Sequence, residues 1–289
     1  MRYFEPVFRP PSEADSLILQ ITVGCSHNAC TFCAMYRNKS YAVRPLDEVL
    51  EEISEASERW PETSRVFLGD GDALAAPGEF LAAVLDGLAQ SFPRLHRVSL
   101  YATPMNLLQK SAPELRDLAG RGLKLFYLGL ESGSDAVLRR VGKGVTSAEA
   151  VASVLKGQNA GMKSSVMVLL GLGGEEGAED HARSTADAAN RMQPDYLSAL
   201  TWYPVPEAPL HRQMEAGRFS LPGDEGILQE LEWLIQGLDL KDTVFHSNHA
   251  SNPLPLRGRL SRDKEKLLGE VAAARRGLVP LRPFFFRGT

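Results

Sequence analysis

Ser16-Leu-Ile-Leu-Gln-Ile-Thr22-Val-Gly24-Cys25-Ser-His27-Asn-Ala-Cys30-Thr-Phe32-Cys33 is the stretch on which the fold turns. Ser16–Thr22 is short, apolar and rich in branched side chains, so it reads as a buried parallel strand. It runs into a loop in which Gly24 allows a tight turn. That loop holds all three cysteines of the 289-residue chain within nine positions. Clustering of this kind excludes an ordinary disulfide framework and points to a metal site.

Working outward, five more strand-like runs follow: Arg65–Leu68, Arg97–Ala102, Lys124–Leu130, Ser164–Leu170 and Tyr196–Thr201. Between them lie segments of helical spacing at Leu46–Ser57, Phe80–Gln90, Glu114–Gly120, Ser147–Ala160 and Glu179–Met192. Strand and helix alternate, and right-handed crossovers make such units curl one way. The expected fold is α/β, a partial, six-stranded parallel βα barrel of TIM-barrel type over residues 16–205. Ligands belong at its strand C-terminal ends, where the cysteine loop falls. After Thr201 the rhythm breaks at Pro204, Pro206 and Pro209 into helices, a short strand at Thr243–Phe245 and a helix near Arg262–Arg275. Residues 206–289 are therefore expected to form a C-terminal cap and substrate-side extension of a single domain spanning 1–289, with the first fifteen or so residues packed as an arm.

Composition narrows the function classes. The chain is 44% hydrophobic and 24% charged with a formal net charge of −4, an ordinary globular balance. No run approaches the ~18 apolar residues of a membrane span, and Met1-Arg2-Tyr3-Phe4-Glu5-Pro6 has no signal-like apolar region. Cytoplasmic residence without membrane contact is the expectation. Nucleic acid is not an expected partner, although Pro253–Thr289 carries nine Arg and Lys against three acids. That surplus reads either as a local anion site or as a solvated face of the Lys264–Arg276 helix. Arg282-Pro-Phe-Phe-Phe286-Arg reads as a plug or a lid.

Two metals suit the loop. Zinc would take three thiolates and His27, whereas a [4Fe–4S] cube on three cysteines keeps one iron open. His27 lies between the ligands, where reaching the same ion would strain the backbone. Strand, three-cysteine loop with Phe32 before the last cysteine, and alternating βα units together resemble the radical S-adenosylmethionine superfamily over about residues 16–205. The usual spacing there is Cys-x3-Cys-x2-Cys, and here the first gap holds one residue more.

The resemblance implies that Cys25, Cys30 and Cys33 hold a [4Fe–4S] cluster and that S-adenosylmethionine chelates the open iron. Reductive cleavage of a carbon–sulfur bond then yields a carbon radical. It also implies an external electron donor such as flavodoxin or ferredoxin. Gly69-Asp70-Gly71-Asp72 is similar to the family's Gly-Gly-Glu segment, where Asp70 or Asp72 would accept from the methionine ammonium. A turn with a helix-capping aspartate is the other reading. Glu131, in Leu-Gly-Leu-Glu-Ser-Gly, would accept from the ribose, and Lys143 would pair the methionine carboxylate as a point charge. Gly171 and Leu172 are similar to the segment that lies on adenine, and Phe32 borders the same site.

The substrate half is expected from the C-terminal segment. His246-Ser-Asn248-His249-Ala-Ser251-Asn252 is dense in hydrogen-bonding side chains and precedes Arg257 and Arg259. His249, Asn248, Asn252 and Arg257 are the candidate catalytic residues, orienting a small polar or anionic substrate. A polar loop of Asx turns is the alternative. Hydrogen abstraction is the expected chemistry, with transfer of an aminocarboxypropyl or methyl group as the variant. A non-catalytic Fe–S sensor would not need Gly69–Asp72 or Glu131, and a zinc-stabilised barrel would show zinc and no sulfide on metal analysis.

Overall fold

The computed structural model describes residues 1–288; Thr289, the last residue of the expected cap, lies outside the described residues. In chain order the first elements are β1 (Leu17–Gln20), β2 (Thr22–Val23), β3 (Ala42–Val43), α1 (Leu46–Arg59), β4 (Arg65–Gly69), α2 (Gly78–Ser91) and β5 (Arg97–Ala102). Next come α3 (Pro104–Gln109), α4 (Ala112–Gly120), β6 (Leu123–Glu131), α5 (Asp135–Arg140), α6 (Ser147–Asn159) and β7 (Lys163–Leu170). The chain ends with α7 (Gly174–Met192), β8 (Tyr196–Thr201), α8 (Pro209–Glu215), α9 (Asp224–Gly237), β9 (Thr243–Ser247), β10 (Leu256–Leu260) and α10 (Lys264–Arg275). The sheet order is β1-β4-β5-β6-β7-β8-β9-β10, eight strands that are parallel in every resolved pairing except β9 with β10. The chain divides into two compact units.

The first unit comprises residues 1–28, 35–128 and 153–164. Val66, Phe67 and Leu68 of β4, with Val98 and Leu100 of β5, are at most 1% exposed, as expected of strands covered on both faces. Helix α1 buries Val49, Ile53 and Ala56 at successive turns, and Asp47 and Glu48 in its first turn suit the helix dipole. The expected strand Ser16–Thr22 is shorter than its apolar run. After Ile21, whose carbonyl accepts from Arg44 N, the chain leaves β4 and β2 pairs antiparallel with β3. The N-terminal arm lies on β1 through Tyr3 Oη to Ile18 O at 2.8 Å and Phe4 N to Gln20 Oε1 at 2.7 Å.

The second unit comprises residues 29–34 and 129–152 and the described residues from 165 onward. Helix α7 is alanine-rich, and Ala178, Ala182, Ala186 and Ala189 form a buried stripe of small side chains. A Cβ on Gly237 of α9 would stand only 2.8 Å from Ala186 Cβ, so small residues are what permit this close helix packing. The expected six strands are corrected to eight. β9 joins β8 in parallel, and β10 adds antiparallel at the edge with Leu256 opposite Ser247. β10 has little signal in the sequence because only its two terminal leucines are buried; Arg257 and Arg259 are exposed, as edge strands allow, and Gly258 lies against Asp263 and Leu267.

Candidate functional site

In the first unit the strand ends meet around Cys25. Gly71 N donates to Gly24 O at 3.1 Å. A Cβ on Gly71 would lie 2.7 Å from the Tyr36 ring and 2.9 Å from Cys25 Cβ, so only glycine fits there. Gly69 accepts from Ile21 N at 2.8 Å and continues the ladder. Asp70 is fully buried; its Oδ2 accepts from Gln20 Nε2 (3.1 Å), Gly24 N (3.1 Å) and Lys39 Nζ (2.9 Å). Its Oδ1 is buried with no hydrogen-bond partner. Asp72 accepts from Ser26 N at 2.9 Å and from the Ser26 hydroxyl, and burial lifts it above the usual carboxylate range against those bonds. Tyr41 stands nearby, its phenol pushed up to about 12 by burial, then by Asp72 and Cys25.

In the second unit the Cys30–Cys33 segment is held from three sides. Thr31 N donates to Val141 O and Leu210 N to Thr31 O, both at 2.8 Å, and Trp202 Nε1 donates to Phe32 O at 3.0 Å. Gly142, at φ +67°, brings the end of α5 against this segment, where a Cβ would stand 3.1 Å from Ala29 O. Lys143 follows. Its Nζ lies 2.9 Å from Glu131 Oε1 and 5.9 Å from the centre of the Phe32 ring. Burial opposes the Lys143 charge, but Glu131 together with the Cys30 and Cys33 thiols leaves its pKa above the ordinary lysine value. Glu131 is itself unusual, a non-glycine residue at φ +64°. Its carboxylate folds back over Gly129, where a Cβ would stand 1.8 Å from Oε1. The Gly-Leu-Glu spacing therefore builds the ion pair.

Gly171 and Leu172 are fixed rather than open. Gly171 N donates to both oxygens of the buried Glu230, at 2.9 and 3.1 Å. Leu172 is 0% exposed and packs with Val137, Val141, Trp202, Leu210 and Phe219. Sequence reasoning missed the network behind them. His181 of α7 shares a hydrogen bond with Ser132 Oγ at 2.7 Å and lies 3.0 Å from Leu169 O and 3.3 Å from Glu230 Oε1. Ser132 directly follows Glu131, so His181 and Glu230 tie the ends of β6 and β7 to α7 and α9. A histidine and a glutamate inside unremarkable helices left no local signal of this.

The C-terminal candidates separate. Asn252 is 1% exposed; it accepts from Thr201 Oγ1 at 2.9 Å and donates to Ala199 O (2.8 Å) and Ser247 Oγ (3.1 Å). Its amide is thus occupied in joining the loop to β8. His249 is half-buried, its Nδ1 accepting from Ser251 N at 3.2 Å, and burial with Arg282 lowers its pKa. Asn248 is exposed, and Arg257 is exposed on β10 opposite His246. The register of β8 with β9 puts this loop at the strand C-terminal end beside Thr201.

Phe284, Phe285 and Phe286 are 55%, 77% and 69% exposed, so the plug reading is corrected; Phe284 stacks on Tyr203. Much of the basic surplus is paired, Arg259 with Asp242, Arg275 with Glu225 and Glu232, and Arg287 with Asp224. No helix among the described residues is long and apolar enough to cross a membrane.

The fold is similar to coproporphyrinogen III oxidase from Escherichia coli, a radical SAM enzyme, at 18% identity and TM-score 0.58, covering 77% of this chain and 52% of that one. The radical S-adenosylmethionine methyltransferase TsrM from Kitasatospora setae, solved with cobalamin and a [4Fe–4S] cluster, matches at 18% identity and TM-score 0.58, covering 72% and 41%. Methylornithine synthase matches at 14% identity and TM-score 0.52 over 92% of this chain and 83% of that one. The chain thus spans about half the length of the first of these structures or less, and at such identities the likeness is one of fold. None of the curated proteins compared matches the chain. The profile of the Radical SAM superfamily, whose members bind a [4Fe–4S] cluster and S-adenosylmethionine, matches residues 19–184, more than half of the sequence, and the chain belongs to that superfamily.

Proposed function

We propose that this chain cleaves S-adenosylmethionine reductively and directs the resulting carbon radical at a small polar or anionic substrate. The observation that carries this reading is the buried Glu131–Lys143 pair next to Cys30 and Cys33. A buried ion pair is seldom a net gain in stability, and perturbed charges of this kind cluster at functional sites.

Three thiols in one loop fit a [4Fe–4S] cluster better than a closed zinc site, and the buried, unpartnered Asp70 Oδ1 fits a cationic ligand group. Held by Cys25, Cys30 and Cys33, the cluster would supply the one-electron reduction that breaks the carbon–sulfur bond. The protein groups bind and orient. Lys143 holds the methionine carboxylate, and Glu131 accepts from the ribose hydroxyls. Of the two aspartates, Asp70 is assigned the methionine ammonium, because both oxygens of Asp72 are engaged by Ser26. Gly171 and Phe32 border the adenosine, with Leu172 in the core cluster against which Phe32 packs. On the substrate side, His249, Asn248 and Arg257 supply the polar contacts, and Asn252 holds their loop on β8. A flavodoxin or ferredoxin serves as electron donor.

The test is anaerobic reconstitution, reduction with S-adenosylmethionine present, and mass analysis of the products. Bound iron and sulfide with 5′-deoxyadenosine as product is the expected result. Zinc without sulfide, or intact S-adenosylmethionine beside a reduced cluster, overturns the reading. A methylated or aminocarboxypropylated product would keep the superfamily chemistry and replace hydrogen abstraction by group transfer.

A further inference from the structure

The segment returning from the cysteine loop carries Tyr41, whose polar group has no task in the site as described. Its hydroxyl is buried and has no hydrogen-bond partner. A buried hydroxyl left unpaired costs about 1–3 kcal/mol, and native folds keep few such groups without a reason. Its position is set by the hairpin. β2 and β3 pair Thr22 with Val43 and Val23 with Ala42, so Gly24 and Tyr41 are the next residues beyond this ladder, and Cys25 follows Gly24. Gly24 keeps that approach close, since a Cβ there would stand 3.2 Å from Lys39 Cβ and 3.3 Å from the Ser40 carbonyl carbon. Asp72 and Cys25 are the charged neighbours that act on the phenol, and a tyrosine hydroxyl is ordinarily a donor at neutral pH. Asp72 already accepts from Ser26 N and Ser26 Oγ, one on each oxygen. Sulfur at Cys25 is the other acceptor that these two neighbours offer.

We infer that the Tyr41 hydroxyl donates a hydrogen bond to sulfur at the Cys25 corner of the cluster, either the thiolate or an adjoining sulfide, and so raises the cluster's reduction potential. The inference rests on the cluster reading above. Reduction adds negative charge to the sulfurs, and a donor aimed at them stabilises the reduced form more than the oxidised one. Tyr41 is thus a positioning and tuning residue, without contact to the reacting carbon.

The experiment compares the anaerobically reconstituted full chain with its Tyr41→Phe variant, without S-adenosylmethionine. The midpoint potential is measured by redox titration followed by electron paramagnetic resonance, and exchangeable-proton couplings of the reduced cluster are compared in H2O and D2O. Tyr41→Phe should retain iron and sulfide and lose one exchangeable-proton coupling. At fixed potential its reduced-to-oxidised ratio should fall about tenfold, roughly 59 mV for a one-electron couple. An unmoved potential with all couplings present on a full cluster overturns the inference and assigns the hydroxyl to Asp72. A wild-type chain that takes up no iron and sulfide overturns the cluster reading itself, and this inference with it.

Discussion

The two carboxylate clusters, one in each compact unit, are built for different ends. Around Cys25, Asp70 and Asp72 are turned onto the chain itself: Gly24 N, Ser26 N, Lys39 and Gln20 donate to them, and the glycine between them lets Cys25 approach. Beside Cys30 and Cys33, Glu131 pairs with a buried lysine, its carboxylate lying over Gly129, where a side chain would not fit. The first arrangement shapes a loop and leaves Asp70 Oδ1 for a ligand, whereas the second is a buried charge pair that, on the reading proposed above, exchanges partners with a zwitterionic ligand. Acidic residues near a cysteine motif therefore cannot be assigned by proximity. What their oxygens already hold decides.

The largest effect tests what the two regions share. Cys30→Ala and Cys25→Ala should each lose most of the bound iron and sulfide after reconstitution. Full iron retention in either variant would remove that region from the cluster site.

Next, Glu131→Ala leaves Lys143 buried without its partner and should destabilise the chain by about 3–5 kcal/mol in chemical denaturation. It should also weaken S-adenosylmethionine binding by roughly 10- to 150-fold. The double variant Glu131→Gln, Lys143→Met should regain stability without regaining affinity. If affinity in both proteins matches the wild type, the contrast between a ligand-directed and a loop-directed carboxylate breaks down.

Gly71→Ala probes the loop-shaping side. A methyl group pressed against Cys25 Cβ and the Tyr36 ring should cost about 1–3 kcal/mol and slow iron uptake. Unchanged stability together with unchanged uptake would mean that the Gly71 contact does not shape the loop.

The smallest effect concerns the substrate-side loop. His249 has its folded pKa lowered from 6.5 by burial and by Arg282. Its contribution to stability is whole above that ordinary value and is lost as pH falls through the lowered one. The melting temperature should fall as the pH drops below about 6.5, and less steeply in His249→Asn. Parallel curves for the two proteins would take His249 out of the titration and leave His246, which faces Arg257, as the group responsible.

The alternation of strand and helix, the clustered cysteines and the Gly69–Asp72 turn could all be read without coordinates. Each depends on residues adjacent in sequence or on a repeating period, which a local pattern records. The remainder depended on groups far apart in the chain. Asn252 looks like a substrate ligand until Thr201 and Ala199, some fifty positions away, are seen to occupy its amide. His181 and Glu230 are lone polar residues in helices until the fold brings them to Ser132 and Gly171. Pairing also decided that Leu256–Leu260 is an edge strand and that three consecutive phenylalanines stay exposed. A sequence states which hydrogen-bonding groups and apolar surfaces exist; only the tertiary structure settles which of them satisfy one another, because that matching is made across space between elements whose local patterns carry no trace of their partners.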